Sequence, residues 1–165
     1  MSRYENNRAK SFLDSLPTTS IESTSDTLTA RCKFNFSYFE KQAAGQAFQE
    51  WTDGQLAKLL DKLKEYSREH LNYWREQRVG KSGTVLAIYG DFPTSRSDFS
   101  HPRHVPHEAQ WGRFRLEQAV RLIGFVLPNS VRGLTHPGSG IQYDVNTFYV
   151  VFLDADHRFY KTELR

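Results

Sequence analysis

Residues 111–127 read WGRFRLEQAVRLIGFVL, and their spacing decides the fold. In the first half Arg113 and Arg115 lie two apart, so on a strand they share one face while Phe114 and Leu116 turn to the other. In the second half Arg121, Ile123 and Phe125 share a face, and Leu122 and Gly124 oppose them. Two short strands separated by Glu117 to Ala119 predict a hairpin. Three guanidiniums on a sheet are unusual, because soluble domains keep most charges on helices and loops. Such a cluster suits phosphate, which guanidinium forks bind bidentately and whose developing charge they stabilise. The competing reading is cross-strand ion pairing with Glu108, Glu117 or Asp156, which accounts for one arginine more easily than for three.

Working outward, Thr84 to Tyr89 is a short apolar strand before the hairpin and Phe148 to Leu153 a buried strand after it. Further upstream Leu28, Ala30, Cys32, Phe34, Phe36 and Tyr38 alternate with polar residues, which predicts a half-buried strand. Glu40 to Trp51 reads as a short helix. Thr52 and Gln55 have the form of a capping box opening a second, long amphipathic helix that ends before Gly80. The order β-α-α-β-β-β-β has no strand–helix alternation. It predicts an α+β fold in which an antiparallel β-sheet carries two N-terminal helices on one face. Residues 28–165 form this single domain. Residues 1–27 hold ten Ser or Thr and few apolar groups, so they are expected to be a disordered tail, the alternative being a single helical turn over Arg8 to Leu16 against the body or a partner.

Charge is distributed unevenly. Residues 1–77 carry eleven basic and eleven acidic groups, so all of the +3 formal charge, and five of the six His, lie in residues 78–165. With 38% hydrophobic and 14% aromatic residues, 165 residues can bury one core. The single cysteine, Cys32, excludes an intramolecular disulfide and reads as packing, which with the lack of a signal sequence or membrane-spanning apolar run points to the cytoplasm.

Two long loops interrupt the strands. Asn129 to Asn146 reads as a flexible connection, whereas Asp91 to Gln110 contains the string HPRHVPH, with His101, His104 and His107 at spacings of three. Pro102 and Pro106 oppose the helical turn that would converge three imidazoles on one ion, so a local three-His metal site is not expected, and the sequence points to no metal or other cofactor elsewhere. Arg103, His104 and His107 are instead candidates for contacting phosphates, a histidine there for serving as a general base, and Arg158 joins them from the C-terminal end; the competing reading is that one or two of these imidazoles only hydrogen-bond the loop in place.

The last strand runs into Asp154-Ala155-Asp156 and then His157, Arg158 and Tyr160. The pieces Trp111 to Leu116, Arg121 to Phe125 and His157 to Tyr160 together resemble the RelE/ParE superfamily of toxins, in particular its ribonuclease branch. The resemblance covers residues 111–160; the chain is longer than typical members and adds the N-terminal tail and the His-rich loop. It implies a metal-independent endoribonuclease toxin of a toxin–antitoxin or phage-defence system. RNA, with the ribosome as its carrier, and a cognate antitoxin protein are the implied partners, with no membrane. In the implied chemistry Arg113, Arg115 and Arg121 hold the phosphate, His157 or His107 acts as base or acid, and Tyr160 orients or stacks on substrate. The alternative is a noncatalytic interaction module that uses the same fold and an arginine-rich interface.

Overall fold

The computed structural model describes residues 6–17 and 19–162, and its architecture is mixed α+β. In chain order the elements are helix α1 (Asn7–Ser15), strand β1 (Lys33–Asn35), helices α2 (Asp53–Tyr66) and α3 (Leu71–Glu76), and strands β2 (Arg78–Val79), β3 (Gly83–Thr84), β4 (Leu86–Gly90), β5 (Gln110–Glu117), β6 (Val120–Val126) and β7 (Thr147–Asp154). Five strands form one sheet in the order β1-β7-β6-β5-β4, and β2 and β3 form a separate small hairpin. Among the described residues no helix is long and apolar enough to cross a membrane.

The β5–β6 hairpin and β7 occupy the expected places and pair antiparallel. The sheet as a whole is mixed, because β1 runs parallel to β7. Side-chain alternation carries no record of a neighbour's direction, so the all-antiparallel expectation fails at this one pairing.

Three local expectations change for identifiable reasons. The alternation from Leu28 yields a strand only over Lys33–Asn35: Leu28–Ala30 is a 3-10 turn, and the Asn35 carboxamide accepts the Ser37 amide at 2.9 Å, turning the chain away. Glu40 to Trp51 contains only a 3-10 turn, Phe48–Glu50. There the Glu40 and Gln46 amides donate to Val151 and Leu153 of β7, so the backbone runs extended along that strand instead of coiling. Gly45 is required by this approach, since a Cβ there would meet the Leu153 carbonyl oxygen at 2.6 Å. Finally, the long helix breaks. The Thr52–Gln55 capping box opens α2 as expected, but α2 ends at Tyr66 and His70 caps a new helix, its Nδ1 accepting the Tyr73 amide at 3.0 Å. The Tyr66 carbonyl released by the break accepts the Trp74 indole N–H at 2.7 Å and the Cys32 thiol at 3.1 Å. Burial pushes that thiol up to about 11, in keeping with a packing role.

Both faces of the sheet are covered. Leu59, Leu63, Tyr66 and Trp74 of the helices pack on Phe114, Leu122 and Phe148. On the opposite face Phe99, Val105 and Phe159, from the 91–109 loop and the C-terminal segment, pack on Trp111, Phe125 and Phe152. Within residues 1–27, Asn7–Ser15 is helical, and none of its residues is buried.

Candidate functional site

The register of the hairpin places Arg115 directly opposite Arg121, and Arg113 opposite Ile123, all on the face away from the helices. Tyr89, near the end of β4, and Asp154, at the end of β7 opposite Arg121, complete a polar patch on an otherwise apolar face. The turn after β7 folds His157, Phe159 and Tyr160 over this patch. Together Tyr89, Arg113, Arg121, Asp154, His157 and Tyr160 line a narrow cleft whose interior admits no water-sized sphere.

Asp154 fixes the cover. It is 1% exposed, and its two carboxylate oxygens accept the Arg158 and Phe159 amides at 2.9 and 2.8 Å. His157 sits in the turn so formed with φ of 58°, a left-handed conformation that costs a non-glycine residue on the order of 1–2 kcal/mol. Tyr160 stacks on Tyr89 at 4.4 Å with rings 14° apart, and the Arg96 guanidinium lies over it at 5.5 Å.

Each arginine side chain has five N–H donors and no acceptor, and here it meets few partners. Arg113, 8% exposed, gives Nη1 to the Thr84 carbonyl at 2.8 Å. Arg121, 6% exposed, gives Nη1 to the carbonyls of Gln118 and Val120. Arg115 packs its guanidinium against Gly83, where an added Cβ would lie 2.8 Å from Nη2. The Nε atoms of all three are buried without a partner. The competing ion-pair reading is not met: Glu117 pairs with Lys58 at 3.3 Å and Glu108 with His107 at 3.4 Å, and among the described residues no carboxylate lies within salt-bridge distance of Arg113, Arg115 or Arg121. The electrostatic result is visible at Arg121. Burial first, then the charges of Arg113 and Arg115, pull it down to about 10 against the opposing pull of Tyr89 and Asp154. Burial likewise raises the Tyr89 phenol, although Arg113 and Arg121 act the other way.

Of the residues singled out in the sequence, Arg113, Arg121, His157 and Tyr160 line one cleft and Arg115 adjoins it across the hairpin. Trp111 packs, with 1% exposure. Arg158 faces outward and pairs through Nε with Asp98 at 3.0 Å, where Lys161 joins it. Arg103, His104 and His107 lie on the 91–109 loop and do not line the arginine cleft. His104 stacks on Tyr38 at 5.7 Å and its Nε2 is 3.1 Å from the Tyr38 carbonyl, whereas His107 is exposed. Among the described residues no three His, Cys, Asp or Glu side chains gather as a metal site would need. Tyr89 and Asp154 were not among the sequence candidates. Continuing the two-residue period from Ala87, which pairs with Arg113, places Tyr89 on the arginine face.

No family model matches this chain, and no curated protein or solved structure is significantly similar to it.

Proposed function

We propose that the chain is a metal-independent endoribonuclease that binds an RNA phosphate at Arg113, Arg115 and Arg121, in the manner of the RelE/ParE toxins that its sequence resembles. The observation that carries this reading is the gathering of three guanidiniums, their Nε groups unsatisfied and no carboxylate within salt-bridge distance among the described residues; Asp154, the carboxylate of the cleft, gives its oxygens to the Arg158 and Phe159 amides. Buried donors without acceptors cost about 1–3 kcal/mol each, a cost that an anion delivering several acceptor oxygens removes. In the reaction a base takes the proton of the 2′-hydroxyl, the 2′-oxygen bonds to phosphorus, and the bond to the 5′-oxygen breaks as an acid protonates it. A cyclic phosphate and a 5′-hydroxyl end result. The guanidiniums offset the charge gained by the phosphoryl oxygens. His157, in the cover of the cleft, is the acid or base, and Tyr160 positions the strand once the cover lifts. An antitoxin protein and the ribosome are the partners this role entails.

The test is incubation of the purified chain with end-labelled RNA in chelator, free and ribosome-bound. Cyclic-phosphate products support the reading; intact RNA at stoichiometric protein overturns it. One observation favours the second reading, a protein-interaction module: the large apolar side chains Phe12 and Leu13 of α1 and the adjoining Leu16 are exposed. Intact RNA together with a protein partner bound through α1 or the arginine face would establish that role instead.

A further inference from the structure

A second cavity, of about 630 Å³, opens at the other end of the same sheet face. Its volume lies within the range of small-molecule sites, and aromatic side chains dominate its wall. Tyr149 stacks on Phe125 at 4.9 Å and 10°, Tyr38 meets both rings edge-on at 5.1 and 5.7 Å, and Tyr143 meets His136 edge-on at 5.6 Å. Leu127, Pro128, Val131 and Pro106 supply the apolar remainder. Phe125 covers one face of Tyr149 and Tyr38 abuts that ring edge-on, yet Tyr149 still lines the cavity.

The charge of the wall restricts the occupant. No Lys or Arg lines the cavity; Glu108 is its carboxylate, and the phenols and His136 are its other titratable groups. A phosphate would meet the Glu108 carboxylate with no cation to hold it. A flat uncharged ring with polar edges fits better, stacking on tyrosine and offering N–H groups to Glu108 and to the phenol oxygens.

The position relates this cavity to the arginines. Arg121 and Phe125 lie on the same face of β6, four residues apart, or roughly 13 Å at the usual strand rise. The 91–109 loop packs Phe99 and Val105 on this face, lends Pro106, Glu108 and Ala109 to the cavity wall, and carries Arg103, His104 and His107, with His104 stacked on Tyr38. We infer that this aromatic cavity receives an unstacked nucleobase from the RNA strand whose phosphate the arginine cluster holds. The inference rests on the RNA reading, and the site it adds is separate from the reacting atoms.

The experiment uses the full chain and uncharged nucleosides as probes. Adenosine, guanosine, cytidine and uridine are titrated in turn while amide NMR shifts are followed. The expected result is a saturable shift centred on Tyr143, Tyr149 and Ala109 with at least one nucleoside, retained in Arg121→Gln and lost in Ser130→Trp, which fills the cavity from its exposed rim. Ser130→Trp should also weaken binding of a short single-stranded RNA by about tenfold, the usual scale for one lost base stack. Tyr143→Ala, a partly exposed ring on the loop, checks the same loss without adding bulk. No saturable shift with any nucleoside, or shifts that map to the arginine cleft, overturns the inference. Its failure is distinguishable from that of the ribonuclease reading: RNA bound and cut normally by Ser130→Trp removes the base site alone, whereas nucleosides that bind here while RNA stays intact keep the site and remove the nuclease.

Discussion

Arg115 and Arg121 stand directly across from each other on β5 and β6, like charges at a position where cross-strand pairs normally attract. Their repulsion, with that of Arg113, is built into the fold and is relieved only partly by Asp154. A site held in this condition gains stability when an anion binds.

Inorganic phosphate or sulfate at millimolar concentration is therefore expected to raise the melting temperature beyond its general salt effect, with the gain set by mass action. Arg121→Met should abolish the excess gain. In phosphate-free buffer the same variant should melt higher than the wild type by a few degrees, since about 1 kcal/mol moves a domain of this size by roughly 2–4 °C. A variant that melts lower, or a wild type indifferent to phosphate, contradicts the arrangement.

The pH dependence has a definite sign. Burial and the charges of Arg113 and Arg115 lower the folded-state value of Arg121 to about 10, so above that pH the native state holds fewer protons than the unfolded chain. The cost of its charge is fully present below about pH 10 and is lifted as pH rises above that value. Alkaline denaturation should accordingly set in earlier for Arg121→Met than for the wild type, relative to each protein's stability at pH 8. Urea titrations at pH 8 and pH 10.5 measure this difference.

For cleavage, Arg121→Ala should reduce the rate by about a hundredfold or more, the scale of one lost donor to a developing oxyanion. His157→Ala should flatten one limb of the pH–rate profile, while His107→Ala leaves both limbs intact because that imidazole lies outside the cleft. A flattened limb in the second variant and not the first would move the acid–base role to the loop.

Asp154→Ala is expected to release the segment over the cleft, because the two amides that it accepts define the turn. Hydrogen exchange at Arg158 and Phe159 should accelerate by at least tenfold while β5 and β6 remain protected, if the variant folds. Asp154→Asn, which keeps one acceptor oxygen, should show a smaller effect.

Gly124→Ala should destabilise the domain by about 1–3 kcal/mol or more. A Cβ at this position would lie 2.1 Å from the Tyr149 carbonyl, where the β6–β7 register shifts. Deleting residues 1–27, in contrast, should leave the melting temperature within a few degrees, since α1 buries nothing.

The strands were legible wherever one face is apolar and the other is not: Phe114 and Leu116 against Arg113 and Arg115 admit a single register. The capping box at Thr52 and Gln55 was equally plain. The break after Tyr66 was not, because the eight-residue interval from Leu63 to Leu71 fits a helix as well as two helices, and tertiary partners for the Tyr66 carbonyl decide between them. The same distinction applies to the site. Arg113, Arg115 and Arg121 follow from local period, whereas Asp154 acts through amides of a turn and the aromatic cavity draws its wall from residues scattered between Tyr38 and Tyr149.

The pairing of β1 with β7 has a kinetic consequence. Lys33 finds its sheet partner in Thr147, more than a hundred residues later, and no other strand of the sheet borders β1. During synthesis the arginine-bearing hairpin must wait for β7 before its inner edge is covered, and β1 waits with it. Closure of so long a loop is slow, and the exposed strand edges are sticky meanwhile. Premature termination near residue 146 should thus yield aggregated chains and not a smaller folded domain.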